Sequence, residues 1–181
     1  TSKHALDLAA APPRMIILGA GVEGCECASL FSGLGTQVTV VELQSAVLPL
    51  EDEEVSVLMA RELKKRGVDV RTGTTIQEVS VREGLVQAQL KDGSALEAEV
   101  LLVSIGRGFQ SKDLGLDNAG VVVGRRGEIL VDEKMETNVP GVYAIGDVVG
   151  KAMLAHVASA QGKVAVENIM GHPAGIQYNI I

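Results

Sequence analysis

The segment Gly19-Ala20-Gly21-Val22-Glu23-Gly24 constrains this chain more than any other. It follows the apolar run Met15-Ile16-Ile17-Leu18 and opens an Ala-rich helical segment. Strand, glycine turn and helix in that order is the context in which a G-x-G-x-x-G spacing signifies dinucleotide binding. The first glycine permits the tight turn, the second lets backbone amides approach a pyrophosphate, and the third lets the helix pack close to the strand. The helix start then offers N–H donors and a positive dipole end to phosphates. Gln37-Val38-Thr39-Val40-Val41 predicts a second strand ending in Glu42, twenty-three positions after Gly19. An acid at that point can accept hydrogen bonds from an adenosine ribose. A 2′-phosphate would be repelled by Glu42, and the following Leu43-Gln44-Ser45-Ala46 supplies no Arg or Lys to neutralise it, so NAD is favoured over NADP. Taken singly, the glycines also suit an ordinary βα turn, and Glu42 an ordinary surface carboxylate.

With 181 residues, 46% of them hydrophobic, and 21 glycines, the chain has the makings of a folded α/β protein with one large or two small domains. A net charge of −7 disfavours nucleic-acid partners. The basic cluster Lys64-Lys65-Arg66 falls at the end of a predicted helix, where positive charge suits the dipole. No apolar run approaches the roughly eighteen residues of a membrane span, and the N-terminus lacks a signal-peptide pattern. The expectation is a cytoplasmic protein, or one of an organelle matrix, with no membrane partner. Cys25 and Cys27 are the only cysteines. Two positions apart on a helix, they point about 200° from each other, and two such thiols do not make a metal site. They read as small core residues, with a reactive thiolate near a helix start as the alternative.

Further along, Val55, Leu58, Met59 and Leu63 form a helical stripe over 51–65, stopped by Gly67. A strand at Val68-Asp69-Val70 follows. From 74 to 99 the pattern changes to short alternating strands with turns at Glu83-Gly84 and Asp92-Gly93, a three-stranded antiparallel meander in place of a crossover helix. Val100-Leu101-Leu102-Val103 reads as a buried parallel strand running into Ser104-Ile105-Gly106-Arg107. Gly106 would let the backbone approach a dinucleotide at that strand end. Gly and Asp then punctuate the chain, and a domain boundary is expected near residue 126. Strands are expected at 129–131 and 142–145, and a helix over 153–170.

These residues resemble the pyridine nucleotide–disulfide oxidoreductases, and dihydrolipoamide dehydrogenases among them. The resemblance runs in order through GAGVEGCE, VTVVE, LLVSIGR and TNVPGVYAIGDVVGKAMLAH. It implies a Rossmann-like FAD/NAD(P)-binding fold, α/β with a parallel sheet and an antiparallel β-meander crossover. Residues 1–126 would form the NAD-binding domain, and 127–181 a return segment of the flavin domain with the start of an interface region. It implies cofactor contacts at Gly19, Ala20, Gly21, Val22, Glu23, Gly24, Glu42, Leu43, Ile76 and Gly106, with Glu26 facing the nicotinamide side. Asp147 would contact the ribityl chain of FAD, and Met153, Leu154, Ala155 and His156 would lie along the flavin through backbone groups at a helix start. No proton-transfer role falls to His156, and no residue is assigned as catalytic.

The implied activity passes electrons from dihydrolipoamide through a disulfide and FAD to NAD, in service of a 2-oxoacid dehydrogenase complex. No C-x-x-x-x-C redox pair occurs in this sequence, and both ends look cut. The expectation is therefore an NAD(H)-binding piece, inactive alone, which lacks the rest of the flavin domain and the interface domain of a homodimeric parent. Residues 128–181, without that flavin domain, would pair with a second copy or be mobile. Glu23 stands where the family carries an aliphatic residue, and Gly108-Phe109-Gln110 where it carries an Arg-Pro-like spelling. The alternatives are an NADH oxidase or peroxidase of the same family, and a non-catalytic NAD(H)-binding redox sensor.

Overall fold

The structure, a computed structural model, describes residues 1–180. It divides into two compact units, the first ending at Gly106 and the second beginning at Arg107. The boundary expected near residue 126 lies within the second unit, in a turn where the Gly124 N–H donates to the Glu128 carbonyl at 2.7 Å.

The first unit runs α1 (Ser2–Leu6), β1 (Arg14–Leu18), α2 (Val22–Gly33), β2 (Gln37–Val41), α3 (Glu53–Lys65), β3 (Asp69–Arg71), β4 (Ile76–Arg82), β5 (Leu85–Leu90), β6 (Ala95–Ala98) and β7 (Val100–Val103). No sequence pattern signalled the short α1. The order β3-β2-β1-β7 forms a parallel sheet, and β4-β5-β6 forms the expected antiparallel meander. Met15 and Ile17 join Val38, Val40, Leu102, Ala28, Phe31 and Leu63 in a core on the helical side. Ile16, from the opposite face of β1, joins Val41 and the meander's Ala88, Leu90 and Ala98. The meander thus takes the place of a second helical layer. That double burial explains why residues 15–18 of β1 and all of β7 are continuous apolar runs without polar alternation.

At the amino end of the strands Arg14 clamps the layers together. Its guanidinium donates to Glu99 at 2.8 Å and to Glu97 at 3.0 Å, and its backbone N–H donates to Glu99 at 2.8 Å. α3 starts at Asp52, whose side chain accepts from the Glu54 N–H, and ends before Gly67 with its φ of +81°. The carboxyl ends of the strands are left to the glycine turn, Glu42 and Ser104.

The second unit has a small core of Val121, Ile129, Ala144 and Val149. The strands expected at 129–131 and 142–145 are reduced to isolated antiparallel bridges, Val123 with Ile129 and Glu136 with Tyr143. Closely spaced turns explain the difference. Asp132 accepts from the N–H groups of Lys134 and Glu136, and Met135 is left-handed at φ +67°, so no extended run has room for a ladder. A 3-10 turn at Gly146–Val149 and α4 (Ala155–Ile169) follow. Phe109, in the loop whose spelling departed from the family's, seats its ring against Gly150 and beneath the Arg126 guanidinium, 5.4 Å from the ring centre. Among the described residues no helix is long and apolar enough to cross a membrane.

Candidate functional site

The glycine turn is held by hydrogen bonds and close packing at Gly19, Ala20 and Gly24. Gly19 donates to the Val41 carbonyl at 2.8 Å, and the Ala20 carbonyl accepts from Leu48 N–H at 2.8 Å and from the Cys25 thiol at 3.3 Å. Gly19 has φ +106°, and a Cβ there would lie 2.1 Å from the Ser104 carbonyl oxygen. A Cβ at Gly24 would lie 2.0 Å from the Gly19 carbonyl oxygen. Both glycines are therefore demanded by the protein's own packing. Gly21 is not. Its φ of −69° and ψ of −174° suit any residue, and a Cβ there would meet nothing within 4 Å.

Gly21 is also the N-cap of α2, and no side chain caps that helix. The first N–H groups of a helix lack intrahelical acceptors. The space beside Gly21 is open, at the positive end of a twelve-residue helix. Helix starts of this kind receive anionic groups, and a methyl group at Gly21 would project into that open space.

Glu42 stands beside this turn. It is 8% exposed, and its Oε2 accepts from the Ala20 N–H at 2.7 Å while Oε1 accepts from the Gln44 N–H at 2.7 Å. Each carboxylate oxygen accepts more than one hydrogen bond, so both retain capacity for vicinal hydroxyls. The backbone brings the next loop alongside, since Thr74 N–H donates to the Glu42 carbonyl and Gly73 N–H to that of Gln44. Leu43 is exposed, whereas Ile76 packs half-buried against the meander core.

Val22 and Glu26 are exposed on the first turns of α2. Glu23 sends its carboxylate toward β7, with Oε1 at 3.4 Å from the Ser104 hydroxyl. Gly106 has φ +120° just beyond β7, a backbone shape that itself calls for glycine. Cys25 and Cys27 are buried in the helical-side core. Burial, with help from Glu42, pushes the Cys25 thiol up to about 11, and burial raises Cys27 as well. That environment removes the reactive-thiolate alternative. Among the described residues no group of three or more His, Cys, Asp or Glu is placed to hold a metal.

In the second unit Asp147 is exposed at the start of the 3-10 turn, whose closure is the Gly150 N–H donating to the Asp147 carbonyl at 3.0 Å. Met153, Leu154, Ala155 and His156 are exposed at the start of α4, where Leu154 is the N-cap and offers no side-chain bond. Sequence reasoning missed Gln161, fully buried and bonded to the Gly146 N–H, and Leu48, which pins Ala20 from φ +46°. A glutamine in the apolar stripe of a helix was the available signal for Gln161. Leu48 gave none.

A parallel sheet whose carboxyl edge carries an uncapped, glycine-lined helix start beside a buried acid is the arrangement of a Rossmann-like α/β fold. The model of the pyridine nucleotide-disulphide oxidoreductase family matches residues 1–162, and the chain belongs to that family. It is 42% identical over 181 residues to a dihydrolipoyl dehydrogenase of Chlamydia pneumoniae, covering 100% of this chain and 39% of that protein. A dihydrolipoyl dehydrogenase of Chlorobaculum tepidum is 43% identical over 175 residues, 94% of this chain and 37% of the relative. The chain thus spans about two fifths of the length of these relatives. Among solved structures, LpdA from Mycobacterium tuberculosis matches with a TM-score of 0.89 at 32% identity, over 97% of this chain and 38% of that one. An HOCl-induced flavoprotein disulfide reductase from Escherichia coli matches with a TM-score of 0.89 at 29% identity, over 97% of this chain and 40% of that one.

Proposed function

We propose that this chain is the NAD(H)-binding and central portion of a flavin-dependent dihydrolipoyl dehydrogenase, which passes electrons from dihydrolipoamide through a disulfide and FAD to NAD. The observation that carries the reading is Gly21, a glycine that neither backbone shape nor packing requires, at the uncapped start of α2. A dinucleotide would bring a nicotinamide able to exchange a hydride with flavin. This chain's residues supply position and charge. The α2 amides around Gly21 receive the diphosphate, Glu42 receives the adenosine ribose hydroxyls, and Leu43 and Ile76 border the adenosine. Gly106 gives the backbone at the end of β7 access to the dinucleotide, and Glu26 borders its nicotinamide end. Glu42 also repels a 2′-phosphate.

Within residues 1–126, the first unit, which ends at Gly106, carries the NAD(H) role. Residues 127–181 carry the return segment, in which Asp147 and the 153–156 helix start face the flavin. The complete protein would be a cytoplasmic homodimer serving a 2-oxoacid dehydrogenase complex, a setting consistent with two free cysteines. Alone, this piece binds nucleotide without turning over dihydrolipoamide, because its cysteines are buried and not spaced as a redox pair. The fold likeness to a disulfide reductase favours, as a second reading, a parent acting on another disulfide. Assaying the complete protein with dihydrolipoamide separates the two.

The test is a titration of the chain with NADH and NADPH, with and without FAD. NADH binding tighter than NADPH by about tenfold or more is expected from the charge at Glu42. Equal affinities, or none for either, would overturn the reading.

A further inference from the structure

Gln161 is a polar side chain in an apolar place. It lies on α4 between Val157 and Ala165, four residues from each, and these three are the buried positions of that helix. It is 0% exposed, in a stripe where leucine would be the ordinary occupant. A buried amide is costly unless its hydrogen bonds are made, and both ends of this one are used. Its Oε1 accepts from the Gly146 N–H at 2.6 Å, and its Nε2 donates to the Tyr178 hydroxyl at 3.0 Å. Because an N–H can face only the oxygen end, the Gly146 bond fixes which way the amide points.

The bond falls where the chain reverses. Ile145 is extended at φ −140°, and Gly146 turns left-handed at φ +79°. α4 bears on this reversal through three neighbouring positions. Ala158 Cβ lies 3.7 Å from where a Gly146 Cβ would stand, Gly162 leaves 3.4 Å for the Ile145 side chain, and Gln161 sits between them. With the Gly146 N–H held by Gln161 and the Asp147 carbonyl held by Gly150 N–H, the backbone on both sides of Asp147 Cα is fixed. The carboxylate of Asp147 is the polar group of the turn that remains exposed.

We propose that Gln161 is a positioning residue: it locks the Gly146 peptide and so sets the direction in which Asp147 presents its carboxylate to a polyol chain of the cofactor. The proposal rests on the reading above that Asp147 faces the flavin's sugar chain. Tyr178 completes the device by holding the far end of the amide.

The test measures FAD dissociation constants from flavin fluorescence in the complete protein, for wild type, Gln161→Leu, Gln161→Glu, Asp147→Ala and the Gln161→Leu/Asp147→Ala double variant. Hydrogen exchange of the peptide spanning 143–150 is followed in parallel. Gln161→Leu keeps the volume but removes both bonds, and is expected to weaken FAD about tenfold and to speed exchange at Gly146. Gln161→Glu is expected to restore affinity to within about threefold, since one oxygen accepts from Gly146 N–H and the other from the Tyr178 hydroxyl. In the Asp147→Ala background the leucine substitution is expected to add less than about twofold, because the two residues act through one contact. The proposal is overturned if Gln161→Leu leaves FAD affinity unchanged, if glutamate fails to rescue, or if the two losses multiply. A wild-type protein that does not hold FAD overturns the flavin reading itself, and the proposal with it.

Discussion

The carboxylate of Glu42 and the backbone N–H of Ala20 meet at 2.7 Å, joining the end of β2 to the middle of the glycine turn. The acid is thus part of the turn's scaffold as well as a candidate ribose acceptor. Its other oxygen holds the Gln44 N–H at the same distance, so the loop after β2 takes its shape from the same side chain.

Replacing Glu42 therefore carries two effects. The substitution Glu42→Gln puts an amide NH2 group against one of these two backbone donors. It is expected to lower stability by about 1–3 kcal/mol, the cost of a buried donor left unpaired. It should also weaken NADH about tenfold while raising the NADPH-to-NADH affinity ratio, since the repelling charge is gone. Thermal unfolding and parallel titrations with the two nucleotides check both arms.

The clamp between Arg14 and Glu99 makes an acid-side prediction. Hydrogen bonding to the Arg14 guanidinium holds the Glu99 carboxyl below its ordinary value of 4.5. A carboxylate depressed in the folded state stabilises fully above its ordinary value and loses that contribution as pH falls through the lowered one. Arg14→Met should leave the pair's contribution missing at neutral pH and flatten the decline of stability below about pH 4.5. Urea unfolding between about pH 3 and 7 measures it.

Cys25 offers a test of the core on the helical side. With its thiol pushed up to about 11 and buried, it is almost wholly protonated at about pH 8. Native protein is expected to react with a disulfide reagent about a hundredfold more slowly than a free thiol, and to give two thiols promptly once denatured.

Much of the first unit was legible because its signals are local. The apolar runs of β1 and β7, the valine-rich β2, the stripe of α3 and the turn pairs of the meander each state their own period. The glycine spacing and Glu42 were legible together, being a turn and a strand end that parallel pairing must bring near each other. Three things were not. The bond from Leu48 to Ala20 joins residues far apart in sequence without any composition signal. The bridges at Val123–Ile129 and Glu136–Tyr143 look like strands in sequence because Ile129-Leu130-Val131 and Val142-Tyr143-Ala144-Ile145 are apolar, yet turns at Asp132 and Gly141 leave no length for pairing. Gln161 gave only a faint signal, its place in line with Val157 and Ala165, because a glutamine on a helix reads as surface until its hydrogen-bond partners are seen.

Gly21→Ala tests the central claim most directly. The added methyl meets no protein atom within 4 Å, and φ is already −69°, so the folded chain accepts it. The entropy gained by removing a glycine, about 0.4–1 kcal/mol, offsets a poorer N-cap of similar size. Thermal unfolding should therefore match wild type to within about 1 kcal/mol, while Gly19→Ala and Gly24→Ala, built into backbone oxygens, should fall well below it. Calorimetric titration of Gly21→Ala with NADH should show affinity reduced about tenfold or more, because the methyl occupies the space the diphosphate requires. Wild-type NADH affinity in a stably folded Gly21→Ala chain would contradict the account.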